Sequence, residues 1–313
     1  MKYLLGRLAY LLVVVFLVSV AVSGLLFLMP GDPASVILGL SATPNDVRIL
    51  NHELGLDGSF IEQYWRWLTN ALHGDLGISF QTKESTSHAI AQGLPVSLEL
   101  VVLAFAISLG ISVPTAIYCA RRVGGLVDKI AMFLSSALLS LPVYIAGIGM
   151  LYFLTVKFQI FPSGSWVSLM DDPVGNIRRA ILPAVSISLL PLASFFRVLR
   201  TDMIATLQQD FVLSARAKGL SSGYVLMRHA LRPSLFTLMT TAGVFLGHLI
   251  GGSFIVEQIF QIPGMGLFMI QAITAKDVRI IQGITLVTAL AYVVVNLVVD
   301  MLYSVVDPRV RRR

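Results

Sequence analysis

Six long apolar runs dominate this chain, and they constrain its fold more than any other feature. They cover about Leu8–Met29, Leu100–Ala120, Ile130–Val156, Ile181–Phe196, Ser234–Val256 and Gly283–Val306. Inside a bilayer every backbone N–H and C=O must find a partner within the protein, and an apolar run of this length meets that need as a helix. The fourth run contains Pro183 and Pro191, which such helices tolerate when neighbours satisfy the freed carbonyls, and which mark kinks near a pathway. Charged residues are 13% of the chain, against about 25% in soluble domains, while 56% are hydrophobic and the mean hydropathy is +0.82. The sequence therefore predicts an all-α polytopic membrane protein with six transmembrane helices.

Lysine and arginine placement sets the orientation. An even number of spans puts both termini on one side. Assigning that side to the cytoplasm gathers Lys2, Arg7, Arg121, Arg122, Lys129, Arg197, Arg200, Arg216, Lys218, Arg228, Arg232, Arg309, Arg311, Arg312 and Arg313 there, fifteen of the 23 basic residues. The long first loop holds Arg48, Arg66 and Lys83 against Asp32, Asp46, Glu53, Asp57, Glu62, Asp75 and Glu84. Both termini are thus expected in the cytoplasm, and the net charge of +6 reports topology rather than nucleic-acid binding. Ala21-Val22-Ser23 resembles a signal-peptide cleavage site, but the apolar run continues to Leu28 and reads as an uncleaved first span. Cys119 is the single cysteine, so no internal disulfide can form.

The runs divide the chain into a first transmembrane helix (1–29), an extracytoplasmic loop domain (30–99), a core of five transmembrane helices (100–306) and a basic cytoplasmic tail (307–313). In the loop domain, Thr43-Pro44 reads as an N-cap followed by proline at the first helical position, with Gly55 closing that helix. Ser59-Phe-Ile-Glu62 is a capping box opening a second helix to about Leu72. That helix carries Phe60, Tyr64, Trp65, Trp67, Leu68 and Leu72, which suit packing on the membrane surface or the span tops. Stacking of Trp65 and Trp67 on a sugar or peptide is the alternative.

Between the fourth and fifth spans lies a compact basic segment, about 203–232. Met203 to Lys218 contains helix formers without Pro or Gly, and Gly219 stops it, with Arg216 and Lys218 in the last turn where the helix dipole favours cations. A second helical run, Tyr224 to Leu231, is expected to end before Pro233. Such a helix-turn-helix with a small Ala/Gly face, tethered at both ends to spans, suits docking into a groove on another protein.

Catalytic constellations are missing. No lysine stands in a Gly-x-x-x-x-Gly-Lys-Ser/Thr loop, His52-Glu53 lacks a second histidine at zincin spacing, and no Gly-x-Ser-x-Gly elbow occurs. Within the spans Glu99, His248, Glu257, Asn296 and Asp300 stand out. Ionisable groups in a membrane are functional suspects, yet Glu99, Glu257 and Asp300 lie near span ends, where caps and interfacial pairs are the structural reading. His248, among Gly247, Gly251 and Gly252, fits a hydrogen bond at a small-residue packing face. A place for His248 and Glu257 on a translocation path is the functional reading.

Several motifs taken together resemble the permease subunit of bacterial ABC importers of the oligopeptide/dipeptide type. They are Tyr3-Leu-Leu-Gly-Arg-Leu8, Pro30-Gly-Asp-Pro33, Leu54-Gly-Leu-Asp57, Gln63-Tyr64, Gly74-Asp-Leu-Gly77, Leu94-Pro95 and Leu98-Glu99. Ala215-Arg-Ala-Lys-Gly-Leu220 and Arg228-His-Ala-Leu-Arg232 are similar to that family's cytoplasmic coupling loop. Glu257, Phe260, Pro263-Gly-Met-Gly266, Asn296, Asp300 and Asp307-Pro-Arg309 complete the likeness, from which Pro233 departs. The resemblance, which is to the first of two paired permeases, implies a multi-pass bacterial inner-membrane protein without catalytic, cofactor or metal residues of its own. It implies a coupling loop that includes Asp210, Ala215, Arg216, Ala217, Lys218, Gly219, Leu220, Arg228 and His229. The implied partners are a second related permease, one or two cytoplasmic ATPase subunits that bind ATP and Mg, an extracytoplasmic substrate-binding protein and membrane lipid, but no nucleic acid. Peptides are the expected substrates, with glutathione, nickel or a metallophore complex as alternatives. A motor-independent secondary transporter would carry paired intramembrane charges, and an intramembrane enzyme a convergent nucleophile or metal set.

Overall fold

The computed structural model describes residues 2–28, 33–38, 42–53, 57–162 and 166–306. Pro30-Gly-Asp32, Gly55, Ser163–Ser165 and Asp307-Pro-Arg309 lie outside the described residues, as do the side chains of Pro33 and Asp300. The described chain is helical: α1 Lys2–Leu28, α2 Pro33–Leu38, α3 Pro44–Glu53, α4 Phe60–Leu72, α5 Thr86–Arg121, α6 Leu126–Ser140, α7 Val143–Met150, α8 Pro173–Leu207, α9 Asp210–Ala217, α10 Ser222–Tyr224, α11 Arg232–Phe260, α12 Met265–Thr274 and α13 Val278–Val306. Two seven-residue π-helical stretches, Leu151–Lys157 and Val225–Leu231, continue α7 and α10. The chain is an all-α polytopic protein, and among the described residues four helices are long and apolar enough to cross a membrane, or up to six spans when each bent pair of apolar helices counts as one.

Two compact units divide these elements. The first comprises residues 1–97 and 261–293. Its N-terminal part forms as local chemistry dictates. Thr43 Oγ1 accepts from the Asp46 N–H and donates to Asp46 Oδ2, and the Thr43 N–H donates to the same oxygen; the two bonds to the carboxylate hold Asp46 below its usual pKa. Ser59 and Glu62 cap α4 reciprocally. The aromatic face of α4 then packs on α1: Tyr64 and Ser19 hydroxyls are 2.8 Å apart, and the Phe60 and Phe27 rings meet edge-on at 5.7 Å. Trp67 is buried, which removes it from any ligand-stacking role in this arrangement, while Trp65 is exposed. Elsewhere in the unit, Ser79 Oγ donates to Asp277 Oδ2, and Gln282 Nε2 donates to Ser23 Oγ at 3.0 Å. α13 approaches α5 at Gly283, where a Cβ would lie 2.5 Å from Thr86 Cγ2; a small residue permits that close crossing.

The second unit comprises residues 98–260 and 294–313. Its core is an apolar cluster of Ala116, Cys119 and Ala120 from α5, Phe195, Phe196, Leu199 and Met203 from α8, Leu226, Ala230 and Leu231 from the π segment, and Leu238 and Ala242 from α11. Cys119 thus packs as a small apolar side chain. α8 runs unbroken for 35 residues through Pro183 and Pro191. The expected third span, Ile130–Val156, is by contrast not one straight helix. It breaks between Ser140 and Val143, and its halves are bent by 101°. Pro142 favours this break: it disfavours the α conformation at Leu141, which takes φ −92° and ψ 115°.

Candidate functional site

The basic segment folds as a helix-turn-helix with boundaries that correct two expectations. Met203–Leu207 belongs to the membrane helix α8, and the first arm is only α9, which starts at Asp210 after a break at Gln208–Gln209. The second arm does not end before Pro233. It runs from Ser222 through Val225–Leu231 into α11, and Ser222–Gly251 forms one candidate span. The π stretch shifts the hydrogen-bond register ahead of Pro233, and the helix continues through the proline into α11.

Gly219 closes α9 as its sequence position implies. Its φ is +79°, its N–H reaches Arg216 O at 2.9 Å, and the Leu220 N–H reaches Ala215 O at 3.4 Å. This pair of bonds is a Schellman motif, which satisfies the last carbonyls of the helix and reverses the chain. Ser221 Oγ then accepts from the Tyr224 N–H to start the second arm. Side chains of Val212, Ala215 and Val225 meet in a small buried cluster between the arms, with Leu207 against it.

That cluster divides the implied site residues into two groups. Ala215 faces the interior of the helix-turn-helix. Asp210, Arg216, Ala217, Lys218, Gly219 and Arg228 are exposed, and His229 is half-buried with its ring 5.7 Å from that of Tyr224. Five further side chains, Phe211, Leu213, Leu220, Tyr224 and Met227, are 39–54% exposed. The sequence reading passed over four of these, all but Leu220; the available signal was an amphipathic α9 whose inward stripe, Val212 and Ala215, left bulky apolar residues on the outside. Exposed apolar side chains flanked by Arg216, Lys218 and Arg228 form a surface that a protein groove with acidic edges can cover.

The two residues of the functional path reading are not brought together at one open surface. Glu257 is fully enclosed and accepts a hydrogen bond from Ser253 Oγ at 2.8 Å. His248 is exposed on α11, and its Nδ1 lies 2.8 Å from the Val244 carbonyl one turn earlier, so Nδ1 carries the proton. Asp128 and Arg200, which sequence reading did not pair, form a partly buried bidentate ion pair between α6 and α8.

Residues 112–312 match the model of the family described as binding-protein-dependent transport system inner membrane component, and residues 1–101 match that of its N-terminal part. A peptide transport system permease protein of Brucella abortus (strain 2308) is 37% identical over 308 residues, covering 98% of each chain. A dipeptide transport system permease of Lactococcus lactis is also 37% identical, over 99% of each chain. A nickel import system permease of Staphylococcus aureus is 31% identical over 99% of this chain and 92% of its own. The fold of a methionine ABC transporter chain in an inward-facing conformation covers 70% of this chain and 96% of its own, with TM-score 0.53 and 15% identity. The chain belongs to the family of binding-protein-dependent transport system inner membrane components, as a multi-pass permease subunit of an ABC importer.

Proposed function

We propose that this permease moves peptides delivered by an extracytoplasmic binding protein, and that its helix-turn-helix docks on a separate ATPase subunit. The observation that carries the docking is the closed Schellman turn with apolar residues left outside: the arms bury Val212, Ala215 and Val225 among themselves and present Phe211, Leu213, Leu220, Tyr224 and Met227 outward. With no nucleotide loop in its own sequence, the chain draws work from a partner that binds ATP and Mg. α8 and α11 each continue directly toward an arm, so displacement of the arms displaces two spans. Alternating access follows as a rigid-body switch between two arrangements whose balance ATP binding shifts. Both termini are assigned to the cytoplasm, which the cation distribution supports.

A second, related permease completes the path. An imidazole facing lipid is costly, so His248 is assigned to the surface that meets this paired subunit. Peptides are favoured as substrates by the Brucella and Lactococcus relatives, while the Staphylococcus relative keeps nickel as the alternative. Proteoliposomes carrying the complete transporter and its binding protein decide between them. ATP-dependent uptake of a labelled dipeptide is the expected result; uptake of nickel with no dipeptide uptake would overturn the peptide assignment.

A further inference from the structure

Asp128 lies in the first turn of α6, and Arg200 lies about two turns before α8 ends at Leu207. Arg200 Nε donates to Asp128 Oδ1 at 2.5 Å and Nη2 donates to Oδ2 at 2.7 Å. The Gly124 N–H adds a third bond to Oδ2 at 2.8 Å, tying the turn before α6 to the same carboxylate. The Arg200 side chain is 14% exposed and that of Asp128 4%. The core cluster beside them includes Cys119, Leu199, Met203 and, from the second arm, Leu226, Ala230 and Leu231, with Ala131 and Met132 of α6 packed on it.

A buried ion pair is a weak source of stability, because removing two charges from water offsets most of their attraction. What a fork-to-fork guanidinium–carboxylate contact supplies is direction: both side chains must hold one rotation and one register. The other contacts around this core are apolar packing and single neutral hydrogen bonds, such as Ser108 Oγ to the Ser188 carbonyl and Thr206 to Ser234, which constrain rotation and register less than a bidentate ion pair. α8 is separated from α9 only by Gln208–Gln209, so it receives motion of the first arm directly, as α11 receives that of the second. α6 has no such connection and ends in the 101° bend toward α7 and its π continuation.

We propose that Asp128 and Arg200 are a positioning pair that locks α6 to α8, so that movement of the arms turns α6 and re-aims the α7 half of the bent span. This rests on the docking function proposed above. The pair transmits force and does not touch substrate.

The test compares purified complete transporters in proteoliposomes: wild type, Asp128→Leu with Arg200→Met, and the charge exchange Asp128→Arg with Arg200→Asp. Melting temperature, ATPase copurification, ATP hydrolysis stimulated by loaded binding protein, and uptake are measured on each. The apolar pair is expected to keep melting temperature, assembly and hydrolysis while uptake per ATP falls about tenfold, within the usual range of coupling between sites. The charge exchange is expected to recover part of that ratio. An unchanged ratio in the apolar pair overturns the proposal. So does a parallel fall of hydrolysis, uptake and melting temperature, which marks a merely structural contact. If the apolar pair fails to assemble, Asp128→Asn, which keeps an acceptor oxygen, is read by the same ratio. Failure of the underlying function is separate and visible as absent ATP-driven uptake in wild type.

Discussion

Ala215 of the first arm and Val225 of the second are packed into one buried cluster, so the helix-turn-helix has its own miniature core. Ala215 is 6% exposed and Val225 1% exposed. Ala215→Glu therefore places a carboxylate inside the motif, not on its outer face, at a cost of several kcal/mol. The expected outcome is loosened arms, read as faster tryptic cleavage at Arg216 and Lys218 in inside-out vesicles, with membrane insertion unchanged. Wild-type protease resistance would place Ala215 on the outside after all.

Gly219 offers a graded test of the turn. A Cβ there meets nothing within 4 Å, so the entire penalty is backbone conformation, about 1–2 kcal/mol for residues that avoid the left-handed region. Asn tolerates that region and β-branched residues do not. Uptake should fall in the order Gly219→Asn, Gly219→Ala, Gly219→Val, with the Asn variant near wild type. Equal loss in all three would point to a steric contact with a partner in place of the turn.

His248→Gln should keep uptake within about twofold, because glutamine retains size and hydrogen bonding and the site is assigned to helix packing between paired subunits. Loss of uptake with normal membrane level and normal subunit assembly would move His248 onto the substrate path.

Much of the architecture was legible because its causes are local or compositional. The capping pair Ser59 and Glu62, the Thr43-Pro44 helix start and the Gly219 stop depend on a few neighbouring residues, and the apolar runs depend on the bilayer. Three features were not legible in that way. The break at Leu141-Pro142 and the continuation through Pro183, Pro191 and Pro233 are opposite outcomes for proline, and the residue type alone does not separate them. The inward aim of Ala215 depends on packing against Val225, across the turn. Asp128 and Arg200 are far apart in sequence and meet only when α6 lies on α8; each alone reads as an ordinary charged residue at a span end.

Topology is checked independently of any partner. Cysteine substituted at Ser59 in a Cys119→Ala background should react with a membrane-impermeant maleimide in intact spheroplasts. Cysteine at Ser221, which caps the second arm, should react only after lysis. The reverse pattern would invert the orientation and remove the arms from the cytoplasm.

The central claim is that the outer face of the helix-turn-helix is where the ATPase docks. Met227 lies on that face, is 54% exposed, and lies outside the core of the arms, so Met227→Glu introduces a charge without disturbing the fold. Quantifying the ATPase subunit that copurifies with tagged Met227→Glu permease, with uptake measured on the same preparation, addresses the claim most directly. The expected result is wild-type permease and paired-permease levels, strong loss of the ATPase subunit and loss of uptake. Normal ATPase recovery with normal uptake would contradict it.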